Sequence, residues 1–355
     1  MELYGKTWQR RALEARVGRL DQIGGVQRLR GVEGPEREVE QIIVRTGAGL
    51  TYTVTPDKGM DIALAEFAGA PISWMAPNGL PHPAYYDDRG LAWLRSASGG
   101  LLMTCGLTQV GSPNNDQGEE LGLHGRIHHT PARAVSASSE WEGNQCVVKV
   151  SGVVEETIIY GTHLRLRREI TSVLGSNRLA ITDTVENLGF APTPFMILYH
   201  FNFGFPLLDE STRLTFPSRR LVPNPDIATP PGMDPLAGYD RWQAPDATHA
   251  AQVYFHQDLA TDDQGWAAAV VHQPAFPLPS SSVPLDMRLE WDATALPHLT
   301  QWRMPGAGTH VLGIEPGNCH VRGRATARAD GTLVTLEPGA TKTIRLRLSL
   351  EIPAR

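Results

Sequence analysis

Leu164-Arg165-Leu166-Arg167 and Arg178-Leu179-Ala180-Ile181-Thr182-Asp183-Thr184-Val185 are two runs joined through Gly175-Ser176-Asn177. In both, apolar residues alternate with charged residues or threonine. Strands with this pattern put one face on a core and the other in water. The same signature recurs outward in both directions. Gln41–Arg45 and Leu50–Val54 flank Thr46-Gly47-Ala48-Gly49, a hairpin signal. Met60–Ala65, Ile72–Trp74 and Gln145–Val154 follow, then Phe195–Tyr199, Ala250–His256, Gly265–His272, Leu285–Trp291, Leu299–Arg303 and Val311–Ile314. Thr332–Leu336 and Thr343–Glu351 lie either side of Glu337-Pro338-Gly339-Ala340. The strands are short and the chain has 27 prolines. That excludes a doubly wound α/β sheet, which needs a helix between successive strands. No fixed repeat marks a propeller or solenoid. The expected fold class is all-β, with large antiparallel sheets packed face to face.

Other segments are minor beside these. A short helix is predicted at Trp8–Val17, ahead of Gly24-Gly25. The expected organisation is an N-terminal extension over 1–39, carrying that helix and packed on one main domain over 40–355. Residues 77–100 are rich in Pro, Gly, Tyr and Asp and are expected to form a long surface loop. The Pro-rich segment 217–245 is too mixed to mark a boundary. Asn114-Asn115-Asp116 and Asp262-Asp263-Gln264-Gly265 are expected turns, and Asp61 a turn or strand-start residue.

With 355 residues and 41% hydrophobic content, the chain is long enough to bury a large core. The net charge is -6 and no basic run stands out, so no nucleic-acid partner is expected. The N-terminus lacks the apolar stretch of a signal peptide. No window reaches the roughly 18–20 consecutive apolar residues of a spanning helix, so no membrane partner is expected. Cys105, Cys146 and Cys319 are odd in number and far apart, which fits a reducing compartment better than a disulfide framework. The expected location is cytoplasmic.

Three islands carry candidate chemistry: Gly122-Leu123-His124-Gly125-Arg126, Tyr199-His200-Phe201-Asn202-Phe203-Gly204 and Gly313-Ile314-Glu315-Pro316-Gly317. Moving a proton off one oxygen and onto another needs a base and an acid facing a small substrate, and Glu315 with a histidine supplies that pair. Glu315 is expected where a core strand stops, its apolar neighbours raising its basicity. His200 ends an apolar run in aromatic company, and histidine titrates near neutrality. His124 lies between glycines that admit a ligand to the backbone, and in an extended chain Arg126 would share its face. His128 and His129 compete with His124 for the cleft. Gln301 and Arg303 flank Trp302 as further candidates to bind a substrate, although a strand with one tryptophan usually only packs. Two histidines and a carboxylate also match the ligand types of a 2-His-1-carboxylate metal site, but the expected chemistry takes no metal and no cofactor. The glycines form no phosphate-cradling pattern and the serines no G-x-S-x-G elbow.

Taken with Lys58-Gly59-Met60-Asp61-Ile62, the stretch from Gly99 to Leu107 and the stretch from Gly313 to Cys319, these islands resemble the aldose 1-epimerase (galactose mutarotase-like) superfamily. The resemblance runs from about residue 40 to the C-terminus and is strongest to the superfamily's domain-of-unknown-function branch. It implies a β-supersandwich fold and anomeric interconversion of a sugar. In that reaction His200 would be general acid and Glu315 general base. His124 would help bind the ring oxygen and hydroxyls; beside it, Arg126, Asn202, Gln301 and Arg303 are the further substrate-binding candidates of the residue reading. His200-Phe201-Asn202-Phe203 differs from the mutarotase segment in the order of Asn and Phe. Thr104-Cys105-Gly106-Leu107-Thr108-Gln109 replaces the usual Gly-Arg-x-x-Asn-Arg. These departures leave open the sugar, and with it another isomerase, a lyase or a non-catalytic sugar-binding protein.

Overall fold

The alternation that opens the sequence reading is visible in the burial of the strands it predicts. In His163–Val173 the residues Leu164, Leu166, Arg168 and Ile170 face inward, and in Arg178–Asn187 so do Leu179, Ile181, Asp183 and Val185. The structure, a computed structural model, describes residues 1–228 and 234–353. Residues 229–233 of the Pro-rich segment and the last two residues of the main domain lie outside the described residues.

Two antiparallel sheets dominate. The larger has eleven strands. From edge to edge it runs Ser218–Pro223, Gln252–Leu259, His298–Gly306, Thr309–Gly317, Met196–Phe203, Leu102–Leu107, Asp61–Phe67, Leu50–Thr55, Glu40–Arg45 and Gly25–Arg30, with Ala70–Pro71 paired to Asp61–Phe67. The second has eight strands, in the order Arg133–Glu142, Gln145–Thr157, His163–Val173, Arg178–Asn187, Thr341–Glu351, Ser281–Asp292, Trp266–Leu278 and Arg213–Thr215. They pack face to face through one continuous apolar core, to which Tyr52, Ile62 and Phe201 contribute from one sheet and Leu166, Ile181 and Trp291 from the other.

That core holds one buried ionic link. Arg168 and Asp183 are direct cross-strand partners, and the guanidinium meets Asp183 at 2.6 Å and Asp61, from the opposite sheet, at 2.8 Å. Tyr199 donates to the same Asp183 carboxylate at 2.6 Å. Asp61 also accepts from the Thr104 hydroxyl at 2.6 Å and is 2.7 Å from His128 Nδ1. Asp61 does start a strand, as expected, but it is also the hub of this network.

Some expectations are corrected. The helix at Trp8–Val17 shortens to Arg10–Glu14, with no side-chain cap at Gln9; Leu13 anchors it in a small cluster with Leu3, Ile23, Cys146 and Leu174. Within residues 1–39, Gly25–Arg30 forms an edge strand of the large sheet. Asn114–Asp116 is a short strand paired with Glu119–Leu121. Arg324–Ala329 is a second helix the sequence pattern did not announce.

Residues 77–100 are not simply a surface loop. Two short 3-10 turns, Pro83–Tyr85 and Ala92–Arg95, fold the segment back so that Trp93, Ser96, Ala97 and Ser98 are buried. Lys58, itself buried, donates from Nζ to the carbonyls of Ser96 at 2.8 Å and Pro81 at 3.3 Å and ties the segment down. Burial lowers its pKa to about 8.

Candidate functional site

Period-two alternation decides which side chains can meet. In Met196–Phe203 the odd residues Ile197, Tyr199, Phe201 and Phe203 enter the inter-sheet core. His200 therefore projects from the other face of the large sheet. Thr309–Gly317 is the adjacent strand, with Ile314 opposite Phe201. Glu315 projects on the same side as His200, and His200 Nε2 lies 3.2 Å from Glu315 Oε1. The strand does not stop at Glu315: Pro316 pairs with Leu299 and the ladder runs on to Gly317. The next strand places Thr300 opposite Glu315 and Trp302 opposite Gly313. His200 and Glu315 thus stand side by side on one wall, from neighbouring strands.

These side chains floor a hollow of about 420 Å³, a size suited to a small molecule. Its sides come from Trp74, Trp93, Met103 and Leu123, with His124 at one flank. His124 has a left-handed backbone, φ 57°, and its Nδ1 accepts from the Gly111 N–H at 3.3 Å. The ring proton consequently sits on Nε2, a donor directed away from that backbone. The rings of His124 and His200 meet edge to face with centroids 5.9 Å apart.

Burial sets the electrostatics. It pushes the Glu315 carboxyl well above its ordinary range and lowers His124 to about 4. Burial, and then His124 nearby, lower His200 to about 3, while hydrogen bonding with Asn202 works the other way. Both members of the His200–Glu315 pair are driven toward their neutral forms, a protonated carboxyl and an unprotonated imidazole that carry one transferable proton between them.

Two glycines keep this geometry open. A Cβ on Gly313 would fall 2.4 Å from Glu315 Oε1 and 3.2 Å from His200 Cε1. A Cβ on Gly99 would meet the Trp74 ring at 2.9 Å. Gly313→Ala is expected to displace the carboxylate and lower turnover by at least 10-fold, estimated from the steepness with which misplacement costs rate. The melting temperature should move by only a few degrees, because the hardest clash is with a side-chain end and the Trp302 Cβ, at 3.0 Å, has only to give by a few tenths of an ångström. Paired activity and thermal-melt measurements check this.

The structure brings His124, His200 and Glu315 together at the hollow. It does not bring Arg126, Asn202, Gln301 or Arg303 to it. Arg126 pairs with Asp88 at 2.7 Å, both about half exposed at 45%. The turn at His124 breaks the extended geometry on which a shared face depended. Asn202 faces the same side as His200 but does not line the hollow; its amide nitrogen donates to the Gly100 carbonyl at 3.1 Å and the His200 carbonyl at 3.0 Å, while its Oδ1 has no partner. Gln301 and Arg303 lie on the opposite face of their strand from Thr300 and Trp302. Gln301 is 3.0 Å from His256 and donates to the Tyr239 carbonyl at 2.8 Å. Arg303 donates to Gln252 at 2.8 Å and Gln243 at 2.6 Å. His128 and His129 are committed inward, to Asp61 and Ser98 and to Ser96 respectively. Sequence reasoning passed over Trp93, whose position in the loop 77–100 concealed that it is a wall. Among the described residues, no group of three or more His, Cys, Asp or Glu is placed to hold a metal ion.

The large sheet of this two-sheet sandwich thus carries a buried carboxyl–imidazole pair in an aromatic-walled hollow. The chain belongs to the family described as domain of unknown function DUF4432, whose profile matches residues 36–350. Among solved structures it is similar to a Klebsiella pneumoniae protein provisionally named an aldose 1-epimerase, at 24% identity and a TM-score of 0.80, covering 92% of this chain and 83% of that one. It is also similar to a galactose mutarotase-like protein from Clostridium acetobutylicum, at 15% identity and a TM-score of 0.58 over 93% and 99% of the two chains. The galactose 1-epimerase of Lactobacillus acidophilus has 12% identity and a TM-score of 0.58 over the same shares, 93% and 99%. At these identities the likeness is one of fold. No curated protein matches the chain. Among the described residues no helix is long and apolar enough to cross a membrane.

Proposed function

We propose that the protein is an aldose 1-epimerase, interconverting the α and β anomers of a sugar with His200 and Glu315 as its acid–base pair. The observation that carries this reading is the 3.2 Å contact between them on the floor of the hollow. In a cyclic sugar the anomeric hydroxyl and the ring oxygen are bonded to the same carbon. Two proton-transfer groups standing side by side can therefore serve both oxygens from one wall.

In the reaction, the pair's proton first passes from Glu315 to His200; the carboxylate then takes the proton from the anomeric hydroxyl and the imidazolium delivers one to the ring oxygen. The bond from the anomeric carbon to the ring oxygen breaks, the aldehyde turns about its bond to the next carbon, and closure with roles reversed gives the other anomer. The neutral pair and the carboxylate–imidazolium pair hold the same single proton, so no proton from bulk solvent is required. His124, donating from Nε2, would stabilise charge at a substrate oxygen. Neither a cofactor nor a covalent intermediate enters this scheme. Three buried, unpaired cysteines support a reducing, cytoplasmic setting.

Saturation-transfer NMR on the anomers of a sugar panel tests the reaction; no acceleration with any sugar rejects it. The shifted pKa values add a pH prediction. A free-enzyme imidazolium of ordinary pKa would make kcat/KM rise as pH falls through about 6.5. With His200 lowered to about 3 and Glu315 raised, the pair keeps its one proton throughout that interval. The expected profile is flat from pH 7 to pH 5, as order-of-magnitude bounds, and falls on the alkaline side as Glu315 loses its proton.

A further inference from the structure

The polar groups of the hollow are unevenly placed. The Thr300 hydroxyl is buried without a hydrogen-bond partner, as is Glu315 Oε1 apart from its 3.2 Å ionic contact with His200, and with His200 they form one wall. His124 adds a donor beside them. The other polar side chains are already partly engaged. Asn78 gives its amide hydrogens to the carbonyls of Leu94 at 2.8 Å and Ala97 at 2.7 Å. Asn224 Oδ1 accepts from the Asp226 N–H at 3.0 Å, and the Asp226 carboxylate takes Arg322 at 2.8 Å. Away from the catalytic wall the lining is mostly Trp93, Leu94, Leu123, Ile227 and Val253, with Ser112, the Asn78 oxygen, the Asn224 nitrogen and the unpartnered Trp93 indole N–H as added polar groups.

Charge is just as one-sided. Among the described residues, no Lys or Arg lines the hollow, whereas Asp226 and Glu315 do. A phosphate or carboxylate on the substrate would find no Lys or Arg in the lining to meet it, and burying an unpaired charge is strongly unfavourable. A sugar with a full set of hydroxyls would leave several of them against apolar surface, each losing its water without replacement.

We infer, on the reading that this hollow holds a sugar, that its substrate is an uncharged and hydroxyl-poor aldose. A deoxy sugar or an alkyl-substituted one fits, with the reducing end on His200 and Glu315 and the reduced carbon on the Trp93 side. An apolar pocket discriminates against one added hydroxyl by only about 10–100-fold, and that sets the size of the effect.

The experiment uses the wild-type protein and sets of sugars matched in ring configuration: D-galactose, D-fucose, D-galacturonate and galactose 6-phosphate, then D-ribose and 2-deoxy-D-ribose. Binding is followed by tryptophan fluorescence and anomer exchange by NMR in the same samples. In at least one set the deoxy sugar should bind about 10–100-fold tighter than its parent, with no binding of the galacturonate or the phosphate. Equal or tighter binding of the parents or of the anions overturns the inference, as does binding of none of the six. Exchange without deoxy preference overturns it and leaves the epimerase reading standing. Tight deoxy-sugar binding without exchange sinks the epimerase reading and leaves this inference intact.

Discussion

Glu315→Gln is expected to lower anomer exchange by about 10²–10⁴-fold, the range spanned by one general acid–base group, while sugar binding changes little. Glutamine keeps the shape and the hydrogen-bonding reach of the carboxyl but cannot take up or release a proton at neutral pH. The stability readout separates this role from a structural one. Were His200 and Glu315 a buried ion pair that holds the fold, removing one charge would cost about 3–5 kcal/mol. Both groups are instead pushed toward neutrality by burial, so the variant should unfold within about 1 kcal/mol of wild type, as expected for an isosteric change that strands no charge. His200→Asn should match it in turnover, with a modest loss of binding. Full exchange in Glu315→Gln, or a large loss of stability without loss of exchange, rejects the acid–base assignment.

Much of the fold was legible in the sequence because period-two alternation survives in strands that are wet on one side. Arg178–Asn187 and Thr341–Glu351 alternate through nearly their whole lengths. Leu102–Leu107 is buried at every position and so carries no alternation to read. Arg133–Glu142 is mostly polar with no residue fully buried, and fails for the opposite reason. The island residues His124, His200 and Glu315 were legible because histidine and glutamate between apolar neighbours are costly without a use. Arg126, Gln301 and Arg303 were misplaced because side-chain direction depends on a local backbone turn and on strand parity, and neither can be fixed from residue type. Trp93 and Asp61 were undervalued because their roles arise only when segments far apart in the chain meet.

Asp61 leads to the substitution with the largest expected effect on stability. Arg168→Met should prevent folding at ordinary growth temperature or lower the denaturant midpoint drastically. Arg168 is fully buried between two carboxylates, Asp183 in its own sheet and Asp61 in the other. Burial works against its charge, but Asp183 and Asp61 outweigh that and hold it protonated. Removing one partner of a buried pair costs about 3–5 kcal/mol. Here a single change strands two carboxylates, against a total stability of about 5–15 kcal/mol for a typical domain. If uncompensated charge is the cause, rather than lost packing, neutralising the carboxylates should rescue the fold. Arg168→Met combined with Asp61→Asn and Asp183→Asn is expected to recover most of the midpoint, since replacing a whole buried ionic group can be neutral or stabilising. Denaturant unfolding with comparison of slopes measures both variants. A loss below about 1 kcal/mol in Arg168→Met would show that this network is not a stabilising bridge between the sheets, since breaking a buried pair costs several times more. A triple variant no more stable than the single one would assign the loss to packing around methionine. Exchange measured on a folded triple variant then asks whether the bridge also matters to His200. Tyr199 hydrogen-bonds Asp183 on the core side of the strand, and His200 is its immediate neighbour on the other face. A rescued fold with normal turnover would confine the network to stability; a rescued fold with impaired turnover would mean that Tyr199 holds the strand in the register that His200 and Glu315 require.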